Sequence, residues 1–228
     1  IRRYFLMSEA KGDNICYSNT STDAFWASAT YMDDANSADA AYMWLICYKM
    51  IYAANANLAG ANEDSSLNCQ LKGENHFLRA FFHFTLCNFF AKPYSFGTEN
   101  PGIVLRMGTD YSETKRSTVG ECYAAIESDL LEAIRLMTPE AKRGNNGYAS
   151  KETAQALLGR LYLYKGEWEK CVEVCNELLG SDAGSHLETE VTELYSNAPN
   201  SKEVLWCVNL TNGDMAGFNP KGLLASMY

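Results

Sequence analysis

The chain has 228 residues, 47% apolar and 12% aromatic, with 19 Lys plus Arg against 28 Asp plus Glu for a formal net charge of −9. That length and apolar content suffice for one large or two small cores, and they exclude disordered and collagen-like classes. With no basic run to neutralise phosphates, neither DNA nor RNA is an expected partner, and the acidic balance disfavours direct binding to anionic lipid.

Ile1, Tyr4, Phe5 and Met7 are spaced to share one face of an interrupted helix, and a start at Ile1 without Met or signal peptide reads as a mature or excised fragment. A polar loop over 13–36 follows, rich in Ser, Thr, Asp and Asn yet holding Tyr17, Phe25, Trp26 and Tyr31. Ser37 is placed to cap a helix to about Ala59, with Tyr42, Leu45, Ile46, Met50 and Ala53 at helical spacing and Gly60 to stop it. A helix from about Ser65 to Phe90, dense in Phe and apolar around most of its circumference, is the predicted centre of the fold. Lys49, Arg79 and His83 break the longest apolar stretches, so no membrane-spanning helix is expected.

Pro93, Gly97, Pro101, Gly102 and Gly108 punctuate a loop-rich connection over 91–116, longer than a bundle needs, which predicts a functional loop or an excursion onto a neighbouring domain. Thr118 and Glu121 have capping-box spacing ahead of an apolar stripe from Val119 to Met137. Glycines and asparagines at 144–147 make a turn, and Ser150 caps the next helix.

Residues 154–178 carry the pattern of an αα-hairpin of tetratricopeptide type. Leu158 and Tyr162 extend one buried stripe, Gly159 admits a neighbouring helix, and Gly166 suits a left-handed C-terminal conformation. Trp168, Cys171, Val172, Cys175, Leu178 and Leu179 then share one face of the second helix, which is expected to be buried. One such pair cannot cover its own apolar face, so further helices must stack on it. A short helix over about 188–195 and a short strand over 203–210 complete the expected fold. The class is mainly α, an αα-superhelix of helix pairs with long loops and a short strand near the C-terminus.

The eight cysteines show no CxxC pair and no His/Cys cluster, so no metal or other cofactor is expected and buried thiols are favoured over disulfides. His76 and His83 share a helix face but lack metal-ligand spacing. Glu127, Asp129 and Glu132 read as one solvated helix face, because glycoside hydrolysis needs two opposed carboxyls. With no nucleophile elbow or phosphate loop either, no catalytic residue is assigned and the chain is expected not to be an enzyme.

Three segments in order resemble the SusD/RagB family of Bacteroidetes outer-membrane nutrient-binding lipoproteins, in its N-terminal half. They are Trp44, Tyr48, Ile51, Ala54, Asn55 and Leu58; then Phe77-Leu78-Arg79-Ala80 with aromatics to Phe90; then Arg116-Ser117-Thr118-Val119 with Tyr123, Ile126 and Asp129-Leu130, leading to Ser150 and the 154–178 hairpin. Glu203-Val204-Leu205-Trp206 resembles the strand that follows in the family, whereas Ala91-Lys92-Pro93-Tyr94 departs from its usual Gly-Asp-Val-Pro turn. The resemblance implies one N-terminal family domain over 1–228 with a helical core at about 37–195, the C-terminal half being absent. It further implies non-catalytic glycan binding in polysaccharide utilisation, and delivery to a SusC-like TonB-dependent transporter. The protein would then sit at the cell surface, held to the outer membrane by a lipid anchor outside this sequence.

Sugar rings stack their C–H faces on aromatic rings, and their hydroxyls need Asn or Asp partners. The 13–36 loop offers Trp26, Phe25 and Tyr31 as a stacking surface, with Asn19, Asp23 or Asp33 as hydrogen-bonding groups. The competing view is that Phe25 and Trp26 fold back onto the helices as loop anchors. Tyr94 and Phe96 form a second candidate surface. A generic tetratricopeptide-type scaffold holding a peptide or protein partner in its groove is the alternative function; it predicts indifference to Trp26, Phe25 and Tyr31.

Overall fold

Helix ends form where capping chemistry places them. The computed structural model describes residues 7–12, 26–34, 36–110, 112, 115–196 and 200–207. Its helices are α1 (Trp26–Ala29), α2 (Ala38–Gly60), α3 (Ser66–Phe90), α4 (Val119–Leu136), α5 (Lys151–Lys165), α6 (Trp168–Leu179) and α7 (Val191–Ser196). Ser37 and Ser65 accept from the backbone N–H of Ala40 and Asn68 at 3.3 and 3.2 Å. Thr118 and Glu121 close a reciprocal capping box on α4, and Ser150 with Thr153 closes another on α5. Each such cap contributes about 1 kcal/mol. Gly166 ends α5 with φ of 76°, the left-handed geometry expected of it.

The chain forms two compact units, one taking in the described residues up to Ile46 and the other running Cys47–Asn209. In the second, α3 packs on α4, α4 on α5 and α5 on α6. Phe77, Leu86, Ile126, Leu130, Leu158 and Leu161 are fully buried in this stack. At Gly159 a Cβ would stand 3.3 Å from Cys175 Sγ, which is the close approach the spacing predicts. No helix among the described residues is long and apolar enough to cross a membrane.

The segment between α3 and α4, read as a functional loop or an excursion onto a neighbouring domain, is held in its middle by the helices of its own unit. Its 101–108 part runs as an extended strap along α2, α3 and the start of α4. Gly102 N–H donates to Ser117 O at 2.7 Å, Ser117 N–H donates to Ile103 O at 2.8 Å, and Ile103 is fully buried. A Cβ at Gly102 would lie 2.9 Å from the carbonyl oxygens of both Ser117 and Thr118, so only glycine fits. Side chains of α2 and α3 then hold the strap by its backbone. Tyr48 Oη donates to Val104 O at 2.7 Å, and Asn55 Nδ2 donates to the carbonyls of Arg106 and Gly108, both at 2.9 Å. Arg79 Nη1 donates to Met107 O at 3.1 Å, and His83 Nε2 accepts from the Arg106 N–H at 3.3 Å. These backbone groups have no helix or sheet partner, and buried ones must be satisfied somehow.

The expected strand over 203–210 is replaced, in its described part, by an irregular segment. Trp206 docks edge-on against Phe77 and Phe81 at 5.3 and 5.2 Å between ring centroids, and Cys207 N–H donates to Asn146 O. Among the described residues no strand lies beside it to pair with. Seven cysteines fall among the described residues, all free thiols, with Cys47, Cys87 and Cys122 buried.

Candidate functional site

Trp26, Tyr31 and Asp33 lie on one short turn. The four residues of α1 end in a Schellman arrangement, with Met32 N–H donating to Ala27 O at 2.7 Å and Tyr31 N–H to Ser28 O at 3.2 Å. The motif demands a left-handed residue at its hinge. Glycine normally supplies it, but here Tyr31 does, with φ of 57°. A bulky residue in that region is an outlier costing about 1 kcal/mol, so surrounding contacts must hold it.

Those contacts come from within the turn and from Lys11, 20 residues before Tyr31. Tyr31 Oη donates to Lys11 O at 2.6 Å, while the ring remains 74% exposed. Buried Ser28 donates to Asp33 Oδ1 at 3.0 Å, and Lys11 Nζ stands 3.2 Å from Asp33 Oδ2. Asp33 thus braces the turn, Trp26 is half-buried, and Met32 is exposed beside Tyr31. Phe25, Asn19 and Asp23 lie outside the described residues. Lys11 and Ser28 escaped the sequence reading because only the fold brings them to Asp33.

Glu127, Asp129 and Glu132 on α4 do not form the solvated face anticipated for them. Asp129 is buried, with Arg79 donating from Nη2 to Oδ1 at 2.6 Å and from Nε to Oδ2 at 2.8 Å. His76 Nδ1 lies 2.8 Å from the same Oδ1. Burial pushes the Asp129 carboxyl toward protonation, but the hydrogen bonds from Arg79 and His76 outweigh it and hold the group below the ordinary carboxylate range. Glu127 pairs with Lys165 at 2.5 Å and accepts from Tyr162 Oη at 3.1 Å; Glu132 pairs with Arg135 at 2.7 Å. Each of these carboxylates is engaged by a cation, and the pairs of Asp129 with Arg79 and of Glu127 with Lys165 tie α4 to α3 and α5. His83 is fully buried, and its pKa is pushed down to about 4 chiefly by burial. Among the described residues no three metal-ligating side chains converge.

At the second candidate surface, Tyr94 packs on Tyr123 with ring centroids 4.8 Å apart, and Phe96 is 71% exposed. The α6 face expected to be buried is only half covered, since Trp168 and Val172 point outward.

A family model described as starch-binding and associating with the outer membrane, SusD-like, matches residues 5–163. Among solved structures, a SusD superfamily protein from Bacteroides fragilis is similar with a TM-score of 0.78 at 24% identity, over 93% of this chain and 50% of that one. One from Bacteroides vulgatus gives 0.70 at 26% identity, over 86% and 46%. A laminarin-binding SusD-like protein gives 0.65 at 22% identity, over 88% and 44%. The chain spans about half the length of these structures. Among curated proteins none matches.

Proposed function

The chain belongs to the SusD-like family, and on that premise we propose that it binds a glycan without cleaving it, at the outer-membrane surface, and passes it to a SusC-like TonB-dependent transporter. The observation that carries the binding role is Tyr31, an exposed aromatic ring on a left-handed backbone, held by Lys11 on a braced turn. Strain kept at an exposed ring has no packing purpose, whereas a fixed ring presents a stacking surface with little ordering cost. In this reading Trp26, Phe25 and Tyr31 stack on the sugar, while Asn19, Asp23 or Asp33 meets its hydroxyls. The helices of about 37–195 act as the support. The family description and the laminarin-binding relative make starch and laminarin the first probes.

Affinity electrophoresis and titration calorimetry with both glycans test the assignment. Trp26→Ala and Tyr31→Gly are each expected to weaken binding at least about tenfold, on the order of 1.4 kcal/mol. Tyr31→Gly should do so with thermal stability undiminished, because glycine relieves a left-handed cost of about 1 kcal/mol. A folded Trp26→Ala protein that binds every glycan tested as tightly as the parent would overturn the site.

A further inference from the structure

The connection between α4 and α5 carries Asn146-Gly147, a pair whose chemistry is set by what glycine lacks. With no side chain at 147, nothing shields the Gly147 nitrogen from the Asn146 side-chain carbonyl carbon, and the glycine backbone lets the two approach. The pair occupies the middle of a turn in which Tyr148 N–H donates to Asn145 O at 3.4 Å; Asn145 is exposed and Asn146 half-buried. Two contacts give the pair its context. Gly147 N–H donates to Asn145 Oδ1 at 2.9 Å, so the nitrogen that would attack is held by the preceding side chain. The Asn146 carbonyl accepts from Cys207 N–H at 2.9 Å, next to Trp206 where it docks on Phe77 and Phe81.

We propose that Asn146 is a site of spontaneous deamidation, that Asn145 slows the reaction, and that the isoaspartyl product frees Cys207 from the turn. The Gly147 nitrogen loses its proton and attacks Asn146 Cγ. A new C–N bond forms, the Cγ–Nδ2 bond breaks, and Nδ2 leaves as ammonia with the proton that the Gly147 nitrogen gave up. Water then opens the resulting succinimide at one of its two carbonyls, and no oxidant or reductant is required. Opening at Cγ leaves aspartate and an unchanged main chain. Opening at the original backbone carbonyl leaves isoaspartate, whose main chain runs through the former side chain and is one methylene longer. The carbonyl that Cys207 N–H meets then belongs to a free carboxylate outside the main chain. Asn145 acts as a positioning residue: an amide hydrogen-bonded to Oδ1 gives up its proton less readily, and only the deprotonated nitrogen attacks.

The test incubates the whole 228-residue chain at mildly alkaline pH and maps it by tryptic digestion. Peptide 144–151 should gain one mass unit and split into aspartyl and isoaspartyl forms. Mapping separates it from Asn212-Gly213, the other Asn-Gly pair, which lies outside the described residues. Gly147→Ala should slow the gain about tenfold, because a side chain at 147 hinders ring closure. Asn145→Ala should accelerate it severalfold, whereas Asn145→Asp, which keeps an acceptor oxygen, should not. Circular dichroism checks that each variant is folded. In the isoaspartyl protein, isolated by ion exchange, the Cys207 amide should exchange about tenfold faster than in the parent. In Asn146→Asp, whose main chain is intact, it should exchange at the parent's rate. Four results would overturn the proposal: no gain at 146 while a synthetic 144–151 peptide converts fully, indifference to Gly147→Ala, no acceleration by Asn145→Ala, or unchanged Cys207 exchange in the isoaspartyl protein.

Discussion

Replacing Arg79 with methionine is expected to lower stability by about 3 to 5 kcal/mol, the cost of breaking a buried ion pair from one side. The reason lies in what remains behind. Asp129 would keep a buried carboxylate with only His76 near it, while Asn55 Oδ1, which accepts from Arg79 Nη1 at 2.8 Å, and Met107 O would each lose a donor. An unsatisfied buried group costs about 1 to 3 kcal/mol, more when charged. Methionine keeps much of the apolar stem, so the loss is electrostatic rather than a cavity effect. Urea unfolding at pH 7 measures it, and the double variant Arg79→Met/Asp129→Asn should recover part of the deficit because the orphaned charge is gone. The Arg106 amide should also exchange faster in the single variant, since Arg79 pins the neighbouring carbonyl of the strap. A single-variant cost below about 1 kcal/mol would mean that the guanidinium is not what keeps Asp129 ionised.

This network marks the boundary between what the sequence discloses and what only the fold can. Helix ends were legible because capping is local: Ser65, Thr118 with Glu121, Ser150 and Gly166 act within four residues of themselves. The family resemblance picked out Tyr48, Asn55, Arg79 and Asp129 as a pattern without a reason. The structure supplies one, since the first three grip the strap and Asp129 holds Arg79. Periodicity places Asp129 on a polar arc of α4 but does not say that α3 will bring Arg79 and His76 to that arc. The same limit applies to α6, where the amphipathic pattern shows an apolar arc but not how much of it α5 covers. In the candidate site, aromatic residues in a polar loop were a readable signal. The left-handed hinge was not, because Tyr31 occupies a position where sequence rules expect glycine or asparagine.

Acid should destabilise the protein in two stages, the first set by His83. Its pKa in the folded protein is about 4, against about 6.5 for an unfolded histidine. Burial drives the depression and Arg79 adds to it, while Asp129 and a backbone hydrogen bond pull the other way. A folded pKa below the unfolded one means that between pH 6.5 and 4 the unfolded chain takes up a proton the native state refuses. The contribution is therefore complete above pH 6.5, declines as pH falls, and is lost by about pH 4, a change on the order of 3 kcal/mol. Asp129 acts in the same direction at lower pH, since its folded pKa also lies below the unfolded value. His83→Gln removes the titrating ring and leaves an oxygen to accept from the Arg106 N–H. Its stability deficit relative to the parent should be largest at pH 7 and should shrink by about 3 kcal/mol by pH 4. Urea melts of both proteins across that range make the comparison, with all other titrating groups common to the two. Parallel stability curves would show that His83 titrates at the same pH folded and unfolded, and that its burial does not hold the ring neutral down to pH 4.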